Sequence, residues 1–147
     1  MADQKEILIK VNGLKTYYPV KKGVFRRTVG HVKAVDDVSL DIYRGEILGV
    51  VGESGCGKTT LGKSILQLIK PTEGSIRYSF ETGEKELMGM DKKELDEARC
   101  KMQIVFQDPY SSLNPSFTIF GSMQEPLLRF GEKSKKKRKG KWIFIHF

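Results

Sequence analysis

The stretch Gly49-Val-Val-Gly-Glu-Ser-Gly-Cys-Gly-Lys-Thr-Thr-Leu-Gly62 reads as a strand that runs through a glycine-rich loop into a helix. The spacing Gly52-x-x-x-x-Gly57-Lys58-Thr59 fits a phosphate-binding loop, and each residue type has a physical reason for its place. Gly52, Gly55 and Gly57 let the backbone approach an anion without a Cβ. Amide N–H groups along the loop, those of Glu53, Ser54, Cys56 and Thr60 included, then converge on it. A helix beginning near Lys58 adds its own unpaired N–H groups and the positive end of its dipole. The Lys58 ammonium reaches the β/γ-phosphates, and the Thr59 hydroxyl is placed to ligate Mg²⁺. A chance coincidence of the four fixed positions is expected in under ~1% of chains this long.

The flanks support the same order of elements. Glu46-Ile-Leu-Gly-Val-Val51 is a nearly continuous apolar run, the pattern of a strand buried in a parallel sheet. Leu61, Ile65, Leu68 and Ile69 follow at helical spacing until Pro71 ends the helix.

At 147 residues the chain has the length of one ordinary domain. Met1-Ala-Asp-Gln-Lys-Glu6 is charged with no apolar segment behind it, so no secretory signal is expected. No run approaches the roughly 20 apolar residues of a membrane span, so any membrane link is expected through a partner. Cys56 and Cys100 have neither a metal spacing nor a disulfide framework, which fits a reduced, cytosolic protein.

The net charge of +8 resembles a nucleic-acid signal until it is located along the chain. Seven of the 26 Lys+Arg fall between Lys133 and Lys141, where there is no acid; the other 19 nearly balance the 18 Asp+Glu. The body is therefore neutral. The organisation expected is one domain over residues 1–132 and a basic, then apolar, disordered tail over 133–147.

Residues 5–44 read as β structure, with Ile7, Ile9 and Val11 alternating, as do Val38, Leu40 and Ile42. Asn12-Gly13, Lys22-Gly23 and Arg44-Gly45 are turn signals. Pro71-Thr-Glu-Gly74 reads as a turn, followed by a strand in which Ile76, Tyr78 and Phe80 alternate. Asp91 with Glu94 makes a capping box for a short helix through Leu95 and Ala98, and Met102–Phe106 reads as another apolar strand. A β-rich lead followed by alternating β and α predicts an α/β fold, a phosphate-loop NTPase core with an N-terminal antiparallel β subdomain and a parallel central sheet.

At Cys100-Lys-Met-Gln-Ile-Val-Phe-Gln-Asp-Pro-Tyr-Ser-Ser-Leu-Asn-Pro115 the pattern becomes specific. A strand ending in Gln107, followed by Asp108-Pro109 and a turn at Asn114-Pro115, resembles the Gln loop of ATP-binding-cassette (ABC) transporter ATPases. The resemblance implies that Gln107 ligates the nucleotide-bound Mg²⁺, which prefers hard oxygen ligands. Leu14–Ile42 is similar to the start of the ATP-binding subunits of dipeptide/oligopeptide importers. The shared features are Tyr-x-Pro-Val, a basic glycine-containing insertion and a Lys-Ala-Val-Asp segment. It implies an aromatic ring stacked on adenine in this region. Tyr17 is the first choice and Tyr18 the alternative, because adjacent strand side chains face opposite ways.

The same resemblance implies ATP and Mg²⁺ as cofactors, with membrane-spanning permease subunits and a second ATP-binding subunit as partners. It implies a cytoplasmic position on the inner face of the plasma membrane and no specific nucleic acid. It extends to about Glu125-Pro126. Beyond that the family continues with a Leu-Ser-Gly-Gly-Gln type signature, an apolar strand ending in Asp-Glu and a switch histidine. After Gln107 the glycines are Gly121, Gly131 and Gly140 and the acids Asp108, Glu125 and Glu132, none in such a setting; His146 in Trp142–Phe147 has no Asp-Glu strand before it. The expectation is a partial ABC ATPase domain with binding chemistry present, hydrolytic chemistry absent and no catalytic residue assigned. Two other readings are a different phosphate-loop NTPase, though Asn-Lys-x-Asp for guanine is absent, and a basic module that binds nucleic acid through its tail.

Overall fold

The computed structural model describes residues 6–108 and 114–129. The chain divides into two compact units between Arg99 and Cys100. The first is built on an antiparallel sheet. β1 (Ile7–Lys22) and β2 (Arg27–Tyr43) form a long hairpin, and β3 (Glu73–Phe80) and β4 (Gly83–Glu86) a shorter one, in the sheet order β2-β1-β3-β4. Between β2 and β3 lie the glycine-rich segment and α1 (Lys58–Ile65); α2 (Lys92–Arg99) closes the unit.

The alternation in β1 is real but changes phase. Ile9 and Val11 are buried at odd positions, then Leu14 and Thr16 at even ones. The register slips between Val11 and Leu14, where Gly13 takes φ 53°. Asn12-Gly13 is thus not the turn that the sequence predicts; it is a bulge that carries the strand onward with the opposite parity facing the core. Gly74, predicted in a turn, lies in β3 and makes room for that bulge. A Cβ there would stand 2.7 Å from both the Gly13 carbonyl oxygen and the Leu14 Cα, and its φ of 108° suits glycine alone.

The other local signals hold. Lys22-Gly23 opens the β1–β2 turn, closed by a 3.0 Å bond from the Arg26 amide to the Gly23 carbonyl. Arg44-Gly45 turns the chain out of β2, and Arg44 pairs with Glu6 at 2.9 Å. Asp91 and Glu94 form the reciprocal capping box: the Glu94 amide donates to Asp91 Oδ1 at 2.8 Å, and the Asp91 amide to Glu94 Oε2 at 3.2 Å. The core joins Ile9, Val11 and Leu14 of β1, Val35 of β2, Ile65 of α1, Ile76 and Tyr78 of β3, Leu87 and Ala98.

Two predicted strands do not form. Glu46–Val51 has no regular structure, with Ile47 100% and Val51 92% exposed, and Met102–Phe106 is likewise irregular, with Val105 94% exposed. A strand apolar on both faces needs cover on both, as the crossover helices of a parallel sheet provide, and among the described residues every strand pairing is antiparallel. Helix α1 also stops earlier than predicted: after Ile65 the chain turns, Gln67 has φ 54°, and Leu68 is exposed.

In the second unit, the Asn114-Pro115 turn is present. The Phe117 amide bonds the Asn114 carbonyl at 3.0 Å, and the Ser116 amide bonds the Asn114 side chain at 2.9 Å. It leads into α3 (Ile119–Arg129), whose start Thr118 caps by accepting the Gly121 amide at 3.0 Å. Pro109 and the tail calls on residues 133–147, including His146, lie outside the described residues.

Candidate functional site

The glycine-rich loop leads directly into α1. Gly52, Glu53, Ser54, Gly55 and Cys56 are exposed, Gly57 is the N-cap, and Lys58, Thr59 and Thr60 are the first three helical residues. Gly57 takes φ 97°, and a Cβ on it would meet the Ala34 carbonyl oxygen at 2.1 Å. No other residue can start the helix this close to β2. No side chain caps α1 and no acid stands in its first turn. Its first amides are left to an external acceptor, and the dipole favours an anion there.

Lys58 folds back over the loop. Its Nζ donates to the Gly52 carbonyl at 2.7 Å and the Glu53 carbonyl at 2.6 Å, and lies 3.6 Å from Cys56 Sγ. The ammonium is thereby held at the centre of the loop by neutral carbonyl groups. An anionic phosphate oxygen is a stronger acceptor than either. The loop is fastened to the sheet from below: Thr16 of β1 and Ser64 of α1 share a buried hydroxyl–hydroxyl bond of 2.9 Å.

Tyr17 follows Thr16 on β1 and pairs across the hairpin with Lys33. Its amide donates to Thr72 Oγ1 at 2.9 Å, and its hydroxyl donates to Asp36 Oδ1. Lys33 Nζ reaches Asp36 Oδ2 at 3.1 Å and lies 5.3 Å from the Tyr17 ring centroid. The electrostatics agree with this closed set. The Tyr17 and Lys33 bonds hold the Asp36 carboxyl below the usual range, while Asp36 raises both the phenol and the ammonium. Tyr18, on the other face, pairs with Val32 and is 41% exposed.

Tyr17 and the loop are brought together through β2: Lys33 pairs with Tyr17, and the next residue, Ala34, presents its carbonyl to Gly57. Gln107 belongs to the second unit, where it is exposed in an irregular segment. Among the described residues no group of three or more His, Cys, Asp or Glu is arranged to hold a metal ion. Mg²⁺ bound mainly by phosphate oxygens and water, with the exposed Thr59 hydroxyl as protein ligand, fits that donor set. Sequence reasoning singled out Lys-Ala-Val-Asp as a segment but assigned no role to Lys33 or Asp36. A hairpin turned at Lys22-Gly23 would by itself set Val32 opposite Tyr17; the register shift between Val20 and Lys21 puts Lys33 there instead, so the sequence carried no direct signal for the cluster.

The family model described as ABC transporter matches residues 35–144. The oligopeptide transport ATP-binding protein AppF of Bacillus subtilis is 42% identical over 85% of this chain and 37% of its own length. The dipeptide transport ATP-binding protein DppF of Haemophilus influenzae is 44% identical over 91% of this chain and 39% of its own. A dimeric post-hydrolysis structure of the ATP-binding cassette MJ0796 bound to ADP and Pi superposes with a TM-score of 0.66 at 27% identity, covering 90% of this chain and 53% of that one. The chain spans between a third and two fifths of the length of these two curated relatives. No described helix is long and apolar enough to cross a membrane. With glycine-rich loop, antiparallel sheet and family match in agreement, this chain belongs to the ABC transporter family, as part of an ATP-binding cassette.

Proposed function

We propose that this chain is the nucleotide-binding portion of an ATP-binding subunit that powers import of peptides. It holds the triphosphate of Mg-ATP in Gly52–Thr60 and the adenine on Tyr17. The observation that carries this reading is Lys58, held over the loop by two carbonyl bonds at the uncapped start of α1, with an aromatic ring on the neighbouring strand. The names of the relatives AppF and DppF support oligopeptides or dipeptides as the transported class.

ATP would supply the free energy for transport. The chain's own residues bind and orient it. Lys58 exchanges neutral carbonyl acceptors for phosphate oxygens, the α1 amides donate to the remaining phosphate oxygens, and Tyr17 offers a ring face to the base. Thr59 would ligate Mg²⁺ through its hydroxyl oxygen, and the resemblance to the Gln loop implies Gln107 as a further oxygen ligand. The partners in this reading are membrane-spanning permease subunits and a second ATP-binding subunit, which place the chain at the inner face of the plasma membrane. No residue here is assigned as general base; a neutral amide such as Gln107 does not accept a proton near pH 7. The 147-residue chain is therefore expected to bind ATP and to release no phosphate beyond that of its Lys58→Ala variant.

Calorimetry with Mg-ATP tests the assignment. Lys58→Ala is expected to weaken binding by about 1.5–3 kcal/mol, the worth of a charge-assisted contact. Unchanged affinity would refute the phosphate-loop assignment.

A further inference from the structure

Lys33-Ala34-Val35-Asp36 touches both halves of the candidate nucleotide site and is the one recognised segment without a role in it. The four residues divide the work. Val35 is 4% exposed and anchors the segment in the core opposite Thr16, itself bonded to Ser64 of α1. Ala34 presents its carbonyl where Gly57 passes with no room for a Cβ. Asp36 accepts the Tyr17 hydroxyl, and Lys33 spans from the Asp36 carboxylate to the vicinity of the Tyr17 ring.

We infer that Asp36 and Lys33 are positioning residues for nucleotide specificity: they clamp Tyr17 in one orientation, with Ala34 setting its distance from the phosphate loop. The inference rests on the reading that Tyr17 carries the base. A phenol on a single χ1–χ2 pair can swing, and a base stacked on a swinging ring must first order it, which weakens binding. The Asp36 bond fixes the ring edge, and the cross-strand Lys33 holds Asp36 by its second oxygen. The ammonium above the ring draws on one π face, leaving the opposite face to a flat base. Because Ala34 lies between the two clamp residues and abuts Gly57, the base platform on β1 and the phosphate loop are both held by one stretch of β2. A ligand that spans both sites would benefit from the clamp; one that occupies only the loop would not.

The test measures dissociation constants of Mg-ATP and of inorganic triphosphate with Mg²⁺ on the full chain. Tyr17→Phe keeps the ring and removes only the clamped hydroxyl. Tyr17→Phe and Asp36→Ala are each expected to weaken ATP about three- to tenfold, the scale of one lost hydrogen bond, and to leave triphosphate unchanged. The double variant should be no weaker than Asp36→Ala alone, since both break the same bond. Asp36→Asn, which keeps an acceptor oxygen, should restore most of the affinity. If Tyr17→Ala weakens ATP while Tyr17→Phe and Asp36→Ala do not, the clamp is overturned and the base platform stands. If Tyr17→Ala has no effect, the base platform itself fails and the clamp with it. Equal weakening of ATP and triphosphate by Asp36→Ala would mean a purely structural role and would also overturn the inference. Where Asp36→Ala does not fold, Tyr17→Phe with the two ligands decides alone.

Discussion

Two apolar stretches of similar hydrophobicity meet opposite fates in this chain. Ile7–Val11 opens β1 and puts Val11 at 1% exposure; Ile47–Val51 leaves Ile47 at 100%. The difference is where the partner comes from. β1 alternates, so one face suffices for burial, and its neighbour β2 arrives through a four-residue turn in the same hairpin. Glu46–Val51 is apolar on both faces and asks for cover on both, which elements distant in sequence supply in a parallel sheet. An antiparallel hairpin is a local object. A parallel core strand depends on what the rest of a domain brings to it.

The sharpest way to break this comparison is to truncate matched isoleucines in the two stretches of sheet and run. Ile76, fully buried in β3, should lose about 2–5 kcal/mol on Ile76→Ala by denaturant unfolding of the full chain. Ile47→Ala should stay within about 0.5 kcal/mol of the parent. Equal losses would show that the Glu46–Val51 run is packed as tightly as the sheet.

A smaller effect is expected at the bulge. Gly74→Ala places a Cβ against backbone atoms of Gly13 and Leu14 at a φ that L-residues avoid, for a loss of about 1–3 kcal/mol. Gly23→Ala, at a positive φ with open space around it, should lose less. Were the two equal, backbone conformation alone would explain both, and the close approach of β3 to the bulge would count for nothing.

These positions also show what was readable in the sequence. The β1–β2 hairpin, β3 and the capped α2 were legible because alternation, turn dipeptides and the Asp91–Glu94 spacing act over a few residues. The bulge was misread as a turn because Asn12-Gly13 has the same chemistry in both; only the slipped pairing with β2 and the space left by Gly74 distinguish them. The two unformed strands were misread for a different reason: their apolar runs state a demand for partners that local sequence cannot meet. In the candidate site, residue type and spacing single out the loop glycines and Lys58, and the family resemblance points to Tyr17 or Tyr18. The Tyr17–Asp36–Lys33 cluster required the hairpin register, which spacing along the chain does not display.

The smallest expected effect is electrostatic and confined to the edge of the sheet. Arg44 bonds Glu6 and holds its carboxyl below the usual glutamate range. A depressed folded-state pKa adds stability that is present above the unfolded value and is lost as pH falls through the folded one. The parent should therefore lose slightly more stability than Glu6→Gln on acidification below about pH 4.5. Both groups are solvent-exposed, so added salt should shrink the difference. A larger acid sensitivity in Glu6→Gln would reverse the sign of the pairing.

Amide hydrogen exchange on the 147-residue chain, with and without saturating Mg-ATP, tests the central claim most directly, because it reads sheet, unpaired run and glycine-rich loop at once. Without nucleotide, amides of β1 paired on both edges should exchange slowly and those of Ile47–Val51 rapidly. With nucleotide, exchange should slow across Gly52–Thr60 and in Lys33–Asp36 of the parent, and should be unchanged in Lys58→Ala. Loop amides that stay fast in the parent under Mg-ATP, or that slow equally in Lys58→Ala, would contradict the assignment of this loop as the nucleotide site.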